Sequence, residues 1–468
     1  TGKPGVAYVI TGPGLCNIMT PMGQAYSDSV PMLVISSCLD ETAATRGQLH
    51  QMKDQEGAAR TVCDWSETAR TAEAAYGLID RALGEFSTLR TRPKSIVVPI
   101  NALEGMAQSF PEKKPQPHSY ALLIDLILDV KPILKGAKRP LFILGGGSVK
   151  GQSWIEDVLS KTGAAVFTTY AGRGMVPDNY ALNFGSTLAR PASADVIAQA
   201  DVVVAVGTEL AEVDLWRQHL GHTATLIRVD RDVEVLRDAP AADYVLHCDA
   251  GDMLSSLSVE FEDHAPDTDW TPTEVTDFRT RMRAEINAER PGILAVADAL
   301  KEALPPQTMI YSDMTQFAYA AKEVYPMDRP GHWHHPFGFG TLGYALPAAI
   351  GGKIGQLGTF DHPVIAIAGD YGFQYTLQEL MVAVELELTL PIIIWDNGKL
   401  GEIEDSMVRA QIAPNAVIQK NPDFIKLGEA YGAATAAPKS LQDLKEVISK
   451  ALSTRGPTLI HVSADIAL

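Results

Sequence analysis

Short β-branched runs that stop on a glycine or a carboxylate and then give way to a helical pattern recur along this chain. "HPVIAIAGDYG" and "LPIIIWDNG" are the plainest cases, and "GVAYVITGPG", "RPLFILGGGS" and "DVVVAVGTEL" repeat the theme. Runs that are apolar throughout, without alternation, fit strands covered on both faces. Strands that alternate with helices pair in parallel through right-handed crossovers, and ligands then collect at the carboxyl ends of the strands. The expected fold is α/β, with three domains that each carry a mainly parallel sheet flanked by helices.

Residues 1–112 form the first block, from "GVAYVITGPG" through "PMLVISS" to "SIVVPINALEG". The segment "FPEKKPQPHS", Phe110 to Ser119, has the proline and charge content of a linker. A Rossmann-like middle block over 118–264 holds "RPLFILGGGS", "AAVFTTYAG", "DVVVAVGTEL" and "TLIRVDRD". After the polar stretch "EDHAPDTDWTPTE", the third block, 274–468, carries "QTMIYSD", "HPVIAIAGD", "LPIIIWDNG" and "PTLIHVSAD". A chain of 468 residues accommodates about three domains.

Composition removes several classes of function. An excess of 57 acidic over 39 basic residues argues against a surface for nucleic-acid phosphates, so an anionic ligand needs a local device. Cys16, Cys38, Cys63 and Cys248 lack the spacing of a disulfide scaffold or a zinc site. No apolar run approaches a membrane span, and "TGKPGVAYVITGPG" lacks the layout of a signal peptide. A reducing cytoplasm is the expected location.

Two strand ends compete as a nucleotide or diphosphate site. "ILGGGSVKG" lacks the GxGxxG spacing, and the next strand, "AAVFTTYAG", ends without the carboxylate that would take a ribose hydroxyl. A tight turn is the better reading there. Asp370 and Asn397 instead follow two successive strands, bringing a carboxylate and an amide oxygen to one rim of a sheet. Such hard oxygen donors suit Mg²⁺ or Ca²⁺ with positions left open for a diphosphate. Alone, either residue reads as a helix cap or a turn; together they point to a site.

Gly369-Asp370, a spacer of just under thirty residues and then Asn397 resemble the signature of thiamine-diphosphate-dependent enzymes of the acetohydroxyacid synthase and 2-oxoacid decarboxylase type. "GKPGVAYVITGPGLCNIMTPMGQAYSDSVPMLVIS" is similar to that family's pyrimidine-binding domain. "GFGTLGYALPAAIG" and "NPDFIKLGEAYGA" are similar to its diphosphate-binding domain. The resemblance implies Asp370, the Asn397 side chain and the Lys399 carbonyl as Mg²⁺ ligands. It implies Gly369, Tyr371, Gly372 and Gly401 around the cofactor, the Gly340 carbonyl on the cofactor amino group, and Leu342 as the wedge that bends thiamine diphosphate. The family's activating glutamate lies upstream of the "TGKPGV" motif, so the first domain is expected to lack its N-terminal part here. Active sites at a dimer interface, in a homodimer or homotetramer, are implied as well.

Specificity is read from the turn after Asn397. Acetohydroxyacid synthases carry a methionine and a tryptophan where this sequence has Glu402 and Ser406. A carboxylate facing an apolar substrate is costly to desolvate, whereas a cationic tail justifies it. The resemblance therefore narrows to the subgroup acting on 5-guanidino-2-oxopentanoate, with non-oxidative release of CO₂ and 4-guanidinobutanal. Acetolactate synthesis from pyruvate is the alternative, and a non-catalytic thiamine-diphosphate- or nucleotide-binding homologue is the alternative of another class. Glu404 and Asp405 read as a solvated helix start. His50 and Gln51, in "RGQLHQMKDQ", stand where the family places a loop beside the partner subunit's cofactor, which implies proton transfer and carbonyl polarisation. His332, His334 and His335 read as loop histidines. Some relatives hold FAD or ADP in the middle domain near a residue such as Asp230, but "GTELAEVDLW" departs from them and FAD is not expected.

Overall fold

A computed structural model describes residues 2–40, 47–109, 123–238, 240–418 and 420–467. The expected linker Phe110–Ser119 lies outside the described residues. Within them the chain forms three parallel sheets, as the strand pattern implies. The first sheet has the order β1-β2-β4-β3, with β1 Gly5–Val9, β2 Met32–Cys38, β3 Trp65–Thr68 and β4 Lys94–Pro99. The second holds β5 Pro140–Leu144, β6 Ala165–Thr168, β7 Asn183–Gly185, β8 Val202–Val206, β9 Thr225–Asp230 and β10 Tyr244–His247, in the order β10-β9-β8-β5-β6-β7. The third, ordered β12-β11-β13-β14-β16-β15, holds β11 Met309–Ser312, β12 Trp333–His334, β13 Val364–Gly369, β14 Leu390–Asp396, β15 Ala434–Ala436 and β16 Pro457–Ser463.

The strands are apolar throughout because both faces of the larger sheets are covered. In β5 and β8, Phe142, Leu144, Val204 and Val206 pack on one side, while Leu141, Ile143, Val203 and Ala205 pack on the other. In the third sheet, Ile365, Ile367 and Ile393 face one core; Val364, Ala366, Ala368, Ile392 and Ile394 face the other. Compactness divides the chain into two units, Thr1–Ala121 with Pro336–Thr341, and Leu122–His335 with Leu342–Leu468. The second and third sheets thus share one unit. Inside the first unit, the Gly338 amide donates to Asp28 at 3.2 Å and the Thr341 amide to Gln24 at 3.2 Å. Among the described residues no helix is long and apolar enough to cross a membrane.

One helical run is interrupted. "FQYTLQELMVAVELEL" reads as a continuous helix, but the structure gives Asp370–Tyr375, a 3₁₀ turn Leu377–Glu379 and then Leu380–Glu385. At Thr376 the backbone leaves the helical region (φ −131°, ψ 21°), and its hydroxyl donates to the Gly343 carbonyl at 2.8 Å. A tertiary hydrogen bond overrides local periodicity there.

The glycines of "ILGGGS" serve backbone packing. The Gly145 amide donates to Val206 O at 2.9 Å and the Gly147 amide to Gly207 O at 3.0 Å, so neither is spare. A Cβ on Gly145 would collide with the Gly207 carbonyl and Thr208. Gly145→Ala is expected to cost about 1–3 kcal/mol, as overpacking does. Urea denaturation followed by far-UV circular dichroism measures it; an unchanged midpoint would contradict this role.

Candidate active site

The parallel register of β13 with β14 sets Gly369 opposite Trp395, so the residues that follow, Asp370 and Asp396, leave adjacent strand ends. A single side chain ties them together: Asn421 Nδ2 donates to Asp370 Oδ2 at 2.6 Å and to Asp396 Oδ1 at 2.9 Å. From β16, His461 Nε2 lies 2.8 Å from Asp396 Oδ2, and the Gly398 amide donates to Asp396 Oδ1 at 2.9 Å. Asp370 is only 2% exposed. Burial pushes its carboxyl up to about 6, with the neighbouring Asp396 charge adding to the rise and Asn421 opposing it. The His461 contact holds Asp396 below the usual carboxylate range.

Asn397 is fixed on the same rim. Its Nδ2 donates to Gln316 Oε1 at 3.1 Å, which assigns the amide and directs Oδ1 elsewhere; that oxygen accepts from the Lys399 amide at 3.2 Å. Gln316 in turn donates to Asp405 Oδ2 at 3.1 Å. Gly398 has φ 69°, the left-handed conformation that glycine adopts without strain. Lys399 forms an isolated bridge with Ile418, and its ammonium pairs with Glu404 at 2.5 Å. Gly401 opens the helix Gly401–Arg409; a Cβ there would come 2.8 Å from Gln316 Oε1 and 3.0 Å from Asn397 Nδ2.

Gly369, Tyr371 and Gly372 are buried beside Asp370, and a Cβ on Gly372 would meet Asp313 Oδ2 at 2.8 Å. Asp313, fully buried at the end of β11, accepts from the Gly343 amide at 2.9 Å and the Met314 amide at 2.8 Å. Leu342, half-buried, precedes that anchored turn. Gly340, with φ 69°, belongs to the first unit, as do His50 and Gln51. His50 has φ 66°, and its carbonyl occupies the space a Gly12 Cβ would need. Gln51 folds back on its own turn, accepting from the Gln48 amide at 3.0 Å.

Glu402 accepts from Arg290 Nη2 at 2.6 Å and from Arg409 Nη2 at 3.4 Å. The histidines of "GHWHHP" are packing groups. His335 Nδ1 lies 2.9 Å from Ser312 Oγ, and His334 stacks on Tyr311 with ring centroids 4.6 Å apart. Burial pushes His334 down to about 4. Asp230 accepts from the Asp232 amide at 2.9 Å.

Sequence reading did not assign Asn421, Asp396, Gln316, Asp313 or His461. Asp313 and Asp396 were findable, since each closes a strand-like run on the rim that carries Asp370. Asn421 and Gln316 come from remote segments, and only the folded chain brings them in.

The donor chemistry fits a diphosphate-bound divalent ion. Asp370, Asn397 Oδ1 and the Lys399 carbonyl are hard oxygens, and two neighbouring carboxylates with one bridging amide are relieved by a cation. Comparison with known proteins bears on the cofactor. Family models of the thiamine pyrophosphate enzymes match in chain order: the N-terminal TPP binding domain over residues 1–58, the central domain over 127–257 and the C-terminal TPP binding domain over 313–462. A probable 2-ketoarginine decarboxylase, AruI, of Pseudomonas aeruginosa is 36% identical over 480 residues, spanning 99% of this chain and 83% of that protein. The chain belongs to the thiamine pyrophosphate enzymes. Among other members, the large subunit of acetolactate synthase isozyme 3 of Escherichia coli is 26% identical, covering 100% of this chain and 84% of its own. Acetolactate synthase large subunit IlvB1 of Mycobacterium tuberculosis is also 26% identical, covering 96% and 76%.

In a thiamine pyrophosphate enzyme built this way, Asp370→Ala should abolish Mg²⁺-dependent binding of thiamine diphosphate while circular dichroism stays native. Unchanged cofactor affinity in calorimetry would remove Asp370 from the metal site.

Proposed function

We propose that this thiamine pyrophosphate enzyme decarboxylates 5-guanidino-2-oxopentanoate, the compound also called 2-ketoarginine, to 4-guanidinobutanal and CO₂. The observation that carries the reading is Glu402, which already engages two guanidinium groups at the turn after Asn397. The activity for which the 36% identical relative is named supports it. Asp370, Asn397 and the Lys399 carbonyl would hold Mg²⁺, and Gly340 and Leu342 would orient the cofactor. Bound thiamine diphosphate supplies the electron sink that accepts the pair left when CO₂ departs. A proton then takes the place of the lost carboxylate on the former carbonyl carbon. His50 moves that proton and Gln51 polarises the carbonyl.

Glu402 selects the tail. Arg290 holds one of its oxygens closely, while Arg409, 66% exposed in its side chain and 3.4 Å away, is the weaker partner. The substrate guanidinium takes the place of Arg409. The Glu402 side chain is 36% exposed, so the substrate itself must cover the pair; a charge-assisted pair buried in that way costs roughly 2–5 kcal/mol when one partner is removed. Glu402→Gln should therefore lower kcat/KM for the guanidino acid by orders of magnitude and leave pyruvate turnover nearly untouched. Arg409→Ala should leave the guanidino acid turned over as well as before or better. Equal losses on both substrates in Glu402→Gln would give Glu402 a role toward the cofactor. A selective loss in Asp405→Asn would seat the tail one helical step further on.

Acetolactate formation is the second reading, favoured by the acetolactate synthase relatives. Pyruvate turnover exceeding that of the guanidino acid would select it. The working species is a homodimer or homotetramer in the cytoplasm, with His50 and Gln51 reaching the partner's cofactor. Specific activity should fall on dilution as dimers dissociate. A monomer by analytical ultracentrifugation that keeps full activity would refute the shared site.

A further inference from the structure

In the first unit, the helix Pro13–Ser27 holds the segment Pro336–Thr341 with two side chains one turn apart. Asp28, at the end of that helix, accepts from the Gly338 amide at 3.2 Å, and Gln24 Oε1 accepts from the Thr341 amide at 3.2 Å. Gln24 Nε2 donates in turn to Asp28 Oδ2 at 2.6 Å. The packing around these bonds is close. A Cβ on Gly23 would come 2.6 Å from the Phe339 ring, and one on Gly338 would come 2.8 Å from Ser27 Cβ. Gly340 lies between the two anchored amides.

The two side chains have different tasks. Gln24 is 5% exposed, so both ends of its amide must be satisfied within the protein. Burial pushes the Asp28 carboxyl up to about 6, with the Gly338 amide, Gln24 and the Phe337 amide opposing the rise. It is therefore ionised at neutral pH and can only accept. Gln24 must turn its NH₂ toward Asp28, which leaves its oxygen for Thr341. The Thr341 N–H and the Gly340 C=O belong to one trans peptide and point in opposite directions across its plane. A bond that draws this N–H onto Gln24 consequently aims the Gly340 carbonyl away from Gln24. Gly340 itself, with φ 69°, has the backbone freedom of glycine and does not fix that peptide plane alone.

We infer that Gln24, oriented by Asp28, is the positioning residue for the Gly340 carbonyl and, through it, for the amino group of bound thiamine diphosphate. The inference rests on the proposed contact between that carbonyl and the cofactor. Gln24 acts by fixing one peptide plane, so its loss should be felt by the cofactor amino group and not by the rest of the cofactor.

Calorimetric titration of the full chain, in Mg²⁺, with thiamine diphosphate and with its analogue lacking the 4′-amino group tests the inference without turnover. The native chain should bind thiamine diphosphate about tenfold more tightly than the analogue, the share of one well-placed hydrogen bond. Gln24→Met should weaken thiamine diphosphate by about that tenfold and leave the analogue nearly unchanged, so that the two affinities converge. A purely structural role would weaken both ligands equally and preserve their ratio. Asp28→Asn removes the anionic acceptor that orients Gln24 and should make the two affinities converge as well; it carries the test should Gln24→Met not fold by circular dichroism. A ratio that survives in the folded variants, whatever the absolute affinities, overturns the inference and leaves the Gly340 contact standing. Equal affinity of the native chain for the two ligands removes the Gly340 contact itself, and the inference with it.

Discussion

The registered pairing of β13 with β14 is the constraint on which the rest of this molecule depends. With Gly369 opposite Trp395, two carboxylates must emerge side by side from the carboxyl edge of a sheet buried on both faces. Like charges so close, one of them almost fully buried, are unfavourable unless something compensates. The fold supplies partial compensation: the Asn421 amide across both, His461 on Asp396, and the Gly398 amide below. What remains is a site that favours a cation, beside an amide oxygen whose orientation Gln316 fixes. A one-residue slip in register would send Asp370 to the opposite face and dissolve the arrangement.

Most of the architecture could be read before any coordinates, because the period of the apolar pattern is itself the physics. Unalternating runs such as "VIAIAG" and "PIIIWD" need cover on both faces, and glycine or a carboxylate at their ends marks the rim. Asp370 and Asn397 were legible for that reason. Asn421 and Gln316 were not, because an amide in a loop has no periodicity and its partner is fixed only by the tertiary path. The break at Thr376 was missed for the same cause: a hydroxyl that bonds to Gly343 is invisible to helical periodicity. Glu402 was noticed as an anomaly of charge. Its two arginine partners lie 112 and 7 residues away along the chain, and of these only the near one has a local signal.

The middle and third sheets share one compact unit through buried charge. Arg190 joins Glu289 and Glu323, Tyr170 donates to Glu323, and Arg173 donates to the Lys322 carbonyl. Buried charge is thus concentrated on the helix Gln316–Val324, at the opposite end from Gln316. Charge networks of this kind cost desolvation and are weak sources of stability, but they permit few alternative packings. The helix is held at one end by ions and at the other by amides, which suits a part that must hold Asn397 in one orientation.

The central claim is that the Asp370 rim holds one divalent ion in direct contact with the diphosphate of thiamine. Phosphorus NMR of the bound cofactor with Mn²⁺ in place of Mg²⁺ tests it most directly, since paramagnetic broadening falls off steeply with distance. Both phosphate resonances should broaden strongly in the native chain. Sharp resonances from bound cofactor at saturating Mn²⁺ would put the ion elsewhere and contradict the account.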